Sequence, residues 1–77
     1  MKEYRLQEHI AKRIRFLRLT QDLSQEELSE KAGLGINYIH NIENKHLNIK
    51  IETLEKIIAA LELSPSEFFN LDRKSVV

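Results

Sequence analysis

Residues 24–45, SQEELSEKAGLGINYIHNIENK, read as two short helices joined by a glycine-containing turn. Ser24 with Glu27 three residues later forms a capping box, in which each side chain satisfies the other's backbone amide at a helix start. Leu28 and Ala32, four apart, turn that helix inward, and Gly33 ends it in the left-handed conformation. A second helix is predicted over about Ile36 to Asn44, with Gly35 at its cap. At roughly 100° per residue, Ile36, Asn37, His40, Asn41 and Asn44 share an arc of roughly 140°, while Tyr38, Ile39, Ile42 and Glu43 fill the opposite arc. One face packs and the other is offered. The offered face lacks the Lys/Glu mixture that merely solvates a helix. Asn is a poor helix former, so Asn37, Asn41 and Asn44 run against local propensity, although Asn44 equally suits the end of a helix. In the major groove Asn can bond adenine bidentately, and an apolar group such as Ile36 can touch the thymine methyl.

Outward from this stretch, Leu6, Ile10, Ile14 and Leu17 are spaced four, four and three, the core stripe of a first helix ending near Thr20. Gln21-Asp22-Leu23 is its exit loop. Beyond the second helix of the pair, residues 45–50 read as a loop. Ile51, Leu54, Ile57, Ile58 and Leu61 then lie within an arc of roughly 120° on a helix over about Ile51 to Leu61. Ser64-Pro65-Ser66-Glu67 combines an N-cap, Pro at the first helical position and an acid near the start, so a fifth helix spans about Pro65 to Asn70. No strand pattern occurs. The fold class is therefore all-α, with five helices in one domain over residues 1–71 and a tail over residues 72–77.

A 77-residue chain supports only a few kcal/mol of net stability, for which association with a second copy is a natural supplement. Without cysteine there is no disulfide or thiolate chemistry, and without a signal-type or membrane-length apolar run the expected compartment is cytoplasmic. Net charge is formally zero, unlike the basic balance usual for nucleic-acid binders. Its distribution is uneven: residues 1–18 carry Lys2, Arg5, Lys12, Arg13, Arg15 and Arg18 against Glu3 and Glu8, whereas residues 51–77 carry three basic and five acidic groups. That asymmetry suits one face turned to phosphates, with modest electrostatic affinity. His40 and His46 are six apart, the wrong spacing for a same-face helical metal pair, and His9 lies on a polar flank. No nucleophile with a base, paired carboxylates or phosphate-cradling loop is present in a chain with two glycines. The expectation is no enzyme, no metal, no cofactor and no small-molecule ligand.

Leu23-Ser24-Gln25-Glu26-Glu27-Leu28, Lys31-Ala32-Gly33-Leu34, Tyr38-Ile39 and Ile42-Glu43 stand in the order and at the spacing of a known pattern. From Leu19 to Phe69 the chain resembles the lambda-repressor and Cro type of helix-turn-helix domain, the Xre family. It departs from the family at Lys45, where glycine is usual, and at Asn48-Ile49-Lys50, where Asn-Pro-Ser is usual. The resemblance implies a five-helix DNA-binding domain in which the helix beginning near Ile36 reads bases, with Gln25 near the backbone and the first base contact. Base contacts are then expected from Gln25, Ile36, Asn37, His40 and Asn41. Backbone contacts are expected from Ser24, Tyr38, Asn44, Lys45, His46 and Lys50, Tyr38 matching a mostly structural position. The family's Arg and Glu at Arg18 and Glu43 pair; Glu43 falls on the packed arc, and a buried carboxylate needs a charged partner.

The implied function is a sequence-specific transcription regulator on double-stranded DNA, acting as a homodimer on a palindromic operator. Its dimer patch is expected from Leu63, Phe68, Phe69 and Leu71, with Leu47 and Ile49 as neighbours, at least one of Phe68 and Phe69 facing outward. A stand-alone domain of this length resembles restriction-modification controller proteins, with small phage or plasmid repressors as the rival. The alternative is a protein-interaction module of the same fold, an antitoxin or antirepressor component, which the zero net charge favours.

Overall fold

The structure, a computed structural model, describes residues 6–45 and 48–69, and for Lys45 the backbone alone. The expectations for His46, Leu47, Leu71 and the Lys45 side chain lie outside the described residues, as do the arm and the tail. Five helices follow in order: α1 (Leu6–Thr20), α2 (Gln25–Lys31), α3 (Tyr38–Lys45), α4 (Ile51–Ala60) and α5 (Pro65–Phe68). Among the described residues there is no strand. Helix α2 packs chiefly on α3, α1 also packs on α3, and α4 packs on α2 and α5. The shared core comprises Ile10 and Ile14 of α1, Leu28 of α2, Ile39 and Ile42 of α3, Leu54, Ile57 and Ile58 of α4, then Leu61 and Phe68.

Three helices end alike. After α1, Asp22 takes φ 57°, with the Leu23 amide bonded to the Arg18 carbonyl and the Asp22 amide to Leu19. After α2, Gly33 takes φ 74°, with Leu34 bonded to Ser29 and Gly33 to Glu30. After α4, Glu62 takes φ 62°, with Leu63 bonded to Ile58 and Glu62 to Ala59. Each is a Schellman motif, and each is followed by a leucine that folds back: Leu23, Leu34 and Leu63 are all partly buried against the core. The starts of α2 and α5 are equally regular, since Ser24 with Glu27 and Ser64 with Glu67 both form complete capping boxes.

The expected apolar stripes overreach at helix ends. Ile51 is 75% exposed and Leu6 is 50% exposed, each being the first residue of its helix. Phe68 is fully buried, which removes it from the expected dimer patch; the ring of Phe69 meets it edge to face and is the one left partly at the surface. Consecutive residues diverge by about 100° on a helix, so α5 can bury one of the two and not both.

Candidate nucleic-acid interface

Helix α3 starts at Tyr38, two residues later than the periodicity predicts. The Tyr38 amide bonds to the Gly35 carbonyl in a turn, and the first helical bond runs from the Asn41 amide to the Asn37 carbonyl, leaving Asn37 at the flanking position. Its helix-start amides are served from elsewhere: Ser29, fully buried on α2, accepts the Ile39 amide through Oγ at 3.1 Å. This contact was not foreseen. The signal was available, because Ser29 lies between Leu28 and Ala32 on the packed side of α2, where a hydroxyl needs a partner. With Ser29 supplying that bond, the Asn37 side chain is exposed and makes no hydrogen bond to any described residue.

The two faces of α3 separate as the arcs predict. Ile39 and Ile42 are fully buried, while Ile36 is 61% exposed and Asn37, His40 and Asn44 are exposed; Asn41 is half-buried. Tyr38 packs partly against the core. Its hydroxyl reaches the surface, since no buried polar side-chain atom among the described residues lacks a partner.

Arg18 and Glu43 join α1 to α3. Arg18 Nε donates to Glu43 Oε2 at 2.8 Å and Nη2 to Oε1 at 2.9 Å, a two-bond fork, while Nη1 donates to the Leu23 carbonyl at 2.8 Å. The two side chains are 8% and 3% exposed, so the pair is effectively internal. The fork matches planar guanidinium to planar carboxylate, and the third bond ties the loop before α2 into the same arrangement.

Gln25 departs from the expectation that it is left for DNA. Its Nε2 donates to Glu43 Oε1 at 3.0 Å and to Asn44 Oδ1 at 3.3 Å, and its Oε1 faces His40 Nδ1 at 3.2 Å. Both amide hydrogens are committed within the protein. Ser24 is partly committed too, its Oγ accepting the Glu27 amide and its own amide bonding the Glu27 carboxylate, but the hydroxyl hydrogen is left to donate outward. Lys50 is exposed at the N-cap of α4, where no side chain caps the helix.

The cations of α1 are less available than the sequence suggests. Arg13 donates to the carbonyls of Phe68 and Glu67 at the end of α5 and lies over the Phe16 ring, Lys12 pairs with Glu8, and Arg18 is internal. Beside Ile36, a cleft lined by Glu26, Glu27, Glu30 and Leu34 is acidic. Of the α1 cations Arg15 alone is exposed with no partner among the described residues, and the acidic cleft disfavours phosphate beside Ile36. Among the described residues no group of three or more His, Asp or Glu side chains could hold a metal ion, and no helix is long and apolar enough to cross a membrane.

Residues 14–68 match the helix-turn-helix family model. A Neisseria hypothetical transcription factor from Neisseria meningitidis serogroup B is 38% identical over 52 residues, 68% of this chain and 49% of that protein. Control protein C.SmaI of Serratia marcescens is 37% identical over 59 residues, 77% of this chain and 70% of that protein. The match thus spans about half the length of the first relative. C.Esp1396I bound to a 25 base pair operator site superposes with a TM-score of 0.83 at 35% identity, over 90% of this chain and 91% of that one. The same restriction-modification controller protein has also been solved as a tetramer on its natural 35 base-pair operator, with a TM-score of 0.82. With the motif residues, the paired helices and the family match in agreement, the chain belongs to the helix-turn-helix family, of the lambda-repressor and Cro type.

Proposed function

We propose that the chain is a sequence-specific DNA-binding transcription regulator that binds a palindromic operator as a homodimer, placing α3 of each copy in the major groove. The observation that carries this is the division of α3: Ile39, Ile42 and Glu43 lock one face into the protein, while His40 and Asn44 stand exposed on the other with Asn41 at its edge and Asn37 exposed just before the helix. A face of amides and an imidazole on a rigidly held helix is suited to base edges. The Ser24 hydroxyl, Asn44 and Lys50, all exposed, and the half-buried Tyr38 would meet phosphates on either side, contacts that position without specifying. The operator complexes of C.Esp1396I support the same use of the fold. Likeness to C.SmaI and C.Esp1396I supports a restriction-modification controller over a phage repressor. Its action is binding rather than catalysis, in the cytoplasm, where its DNA target lies.

A second reading keeps support from charge. Net charge is zero, and the cleft beside α3 is acidic, as suits a domain covered by a protein partner. Protection mapping on the DNA flanking the chain's own gene separates the two. Two protected half-sites about one helical turn apart are expected for the regulator. Absence of binding to any DNA at low salt would favour the interaction module.

A further inference from the structure

The hydrogen bonds behind the exposed face fix the chemical character of what that face presents. Glu43, forked to Arg18, is a carboxylate and can only accept. The Gln25 amide must therefore turn its NH2 toward Glu43, since the reversed orientation would set two acceptor oxygens against each other at 3.0 Å. Its second hydrogen goes to Asn44 Oδ1 at 3.3 Å. Gln25 Oε1 is then left facing His40 Nδ1 at 3.2 Å, and because a carbonyl can only accept, the proton of the neutral ring sits on Nδ1. A neutral imidazole carries one proton. Nε2, on the far side of an exposed ring, consequently holds a bare lone pair.

We propose that His40 is a specificity-determining residue that reads an amino group in the major groove, adenine N6 or cytosine N4, through Nε2 as acceptor. Gln25 is its positioning residue. The proposal rests on the DNA-reading function above and adds the class of base that one residue selects. Only adenine and cytosine present a donor in the major groove, whereas guanine and thymine present acceptors to that nitrogen and are refused. By the same logic Asn44, with Oδ1 turned inward, offers its Nδ2 hydrogens, which suits a phosphate oxygen. A chain of bonds from the internal Arg18 guanidinium through Glu43 and Gln25 thus sets an acceptor at His40 and a donor at Asn44.

Two measurements test this, the first without DNA. Nitrogen-15 NMR of the free protein in mildly alkaline buffer is expected to show His40 mainly as the Nδ1–H tautomer. Gln25→Ala should return it to the Nε2–H form that an unconstrained histidine prefers. A wild-type His40 mainly in the Nε2–H form overturns the proposal. The second is selection from a randomised operator pool. One base position should favour adenine or cytosine by about two- to tenfold, the worth of one hydrogen bond. His40→Ala should flatten that position alone, and Gln25→Ala should weaken the preference there. A His40-dependent position that prefers guanine or thymine overturns the base assignment while leaving the regulator intact. Failure to select any sequence would overturn the regulator and the base reading together, with the tautomer result still standing.

Discussion

Glu43 occupies a position on α3 where an apolar residue would pack without cost, and holds it only because Arg18 arrives from α1 with a matching fork. The pair's net worth is limited by the desolvation of both ions, but breaking it from one side leaves the other buried and alone. Glu43→Ala should therefore destabilise the fold by roughly 3 to 5 kcal/mol, and the double replacement with Arg18→Met should fall well short of the sum of the single ones. Urea denaturation of the four proteins checks this, and a Glu43→Ala curve overlaying the wild type would show that the pair does not hold α3. On the opposite face the same residue scale separates reading from holding. Asn37→Ala or Asn41→Ala should cost about 1 to 3 kcal/mol on the true operator and little on random DNA. Lys50→Ala should weaken both and reduce the salt slope by up to about one unit. Binding isotherms across a salt series distinguish them, and identical behaviour of the two kinds of substitution would remove α3 as the reader.

At the scale of elements, the three Schellman turns use three different residues for one left-handed conformation, and only Gly33 adopts it without steric cost. Gly33→Ala meets no atom within 4 Å, so its cost is conformational alone, about 1 kcal/mol. Glu62→Gly should act in reverse. Its bond to Lys31 at 3.2 Å lies at the surface and contributes little, so relief of the backbone should win and raise the melting temperature by a few degrees. A drop in that temperature would mean that the Lys31 pair outweighs the strain. These ends were legible because helix stops are local: Thr-Gln-Asp-Leu, Lys-Ala-Gly-Leu and Ala-Leu-Glu-Leu each place a leucine just past the turn. The capping boxes and the two faces of α3 were legible for the same reason. What escaped was long-range. Periodicity says which side of a helix is apolar but not whether a neighbour covers it, and Ile51 and Leu6 are exposed. Nor does spacing reveal that Ser29, ten residues before Ile39, ends beneath the start of α3, or that Gln25 is drawn inward by Glu43.

Across the whole molecule, α1 is the strut. Five residues apart on it, Arg18 holds α3 through Glu43 and Arg13 holds the last carbonyls of α5, so the reading helix and the end of the domain are fixed to one rigid element. A partner docked near α5 would thereby have its own α3 set at a defined distance and angle, which two half-sites require. An eight-residue α3 reads too few base pairs for useful discrimination by itself. Phe69 and Leu63, both partly buried and adjoining the core, are the described members of the proposed dimer patch once Phe68 is assigned inside. Phe69→Asp would place an unpartnered charge in a closed apolar contact and oppose pairing. The expected protein is folded, because the fully buried Phe68 still anchors α5, but monomeric, with operator affinity reduced far more than one added charge explains. Sedimentation equilibrium combined with a thermal melt decides the matter. A wild type that is monomeric at micromolar concentration would remove the dimer, whereas a Phe69→Asp protein that unfolds would make Phe69 a core residue and move the interface toward Leu63.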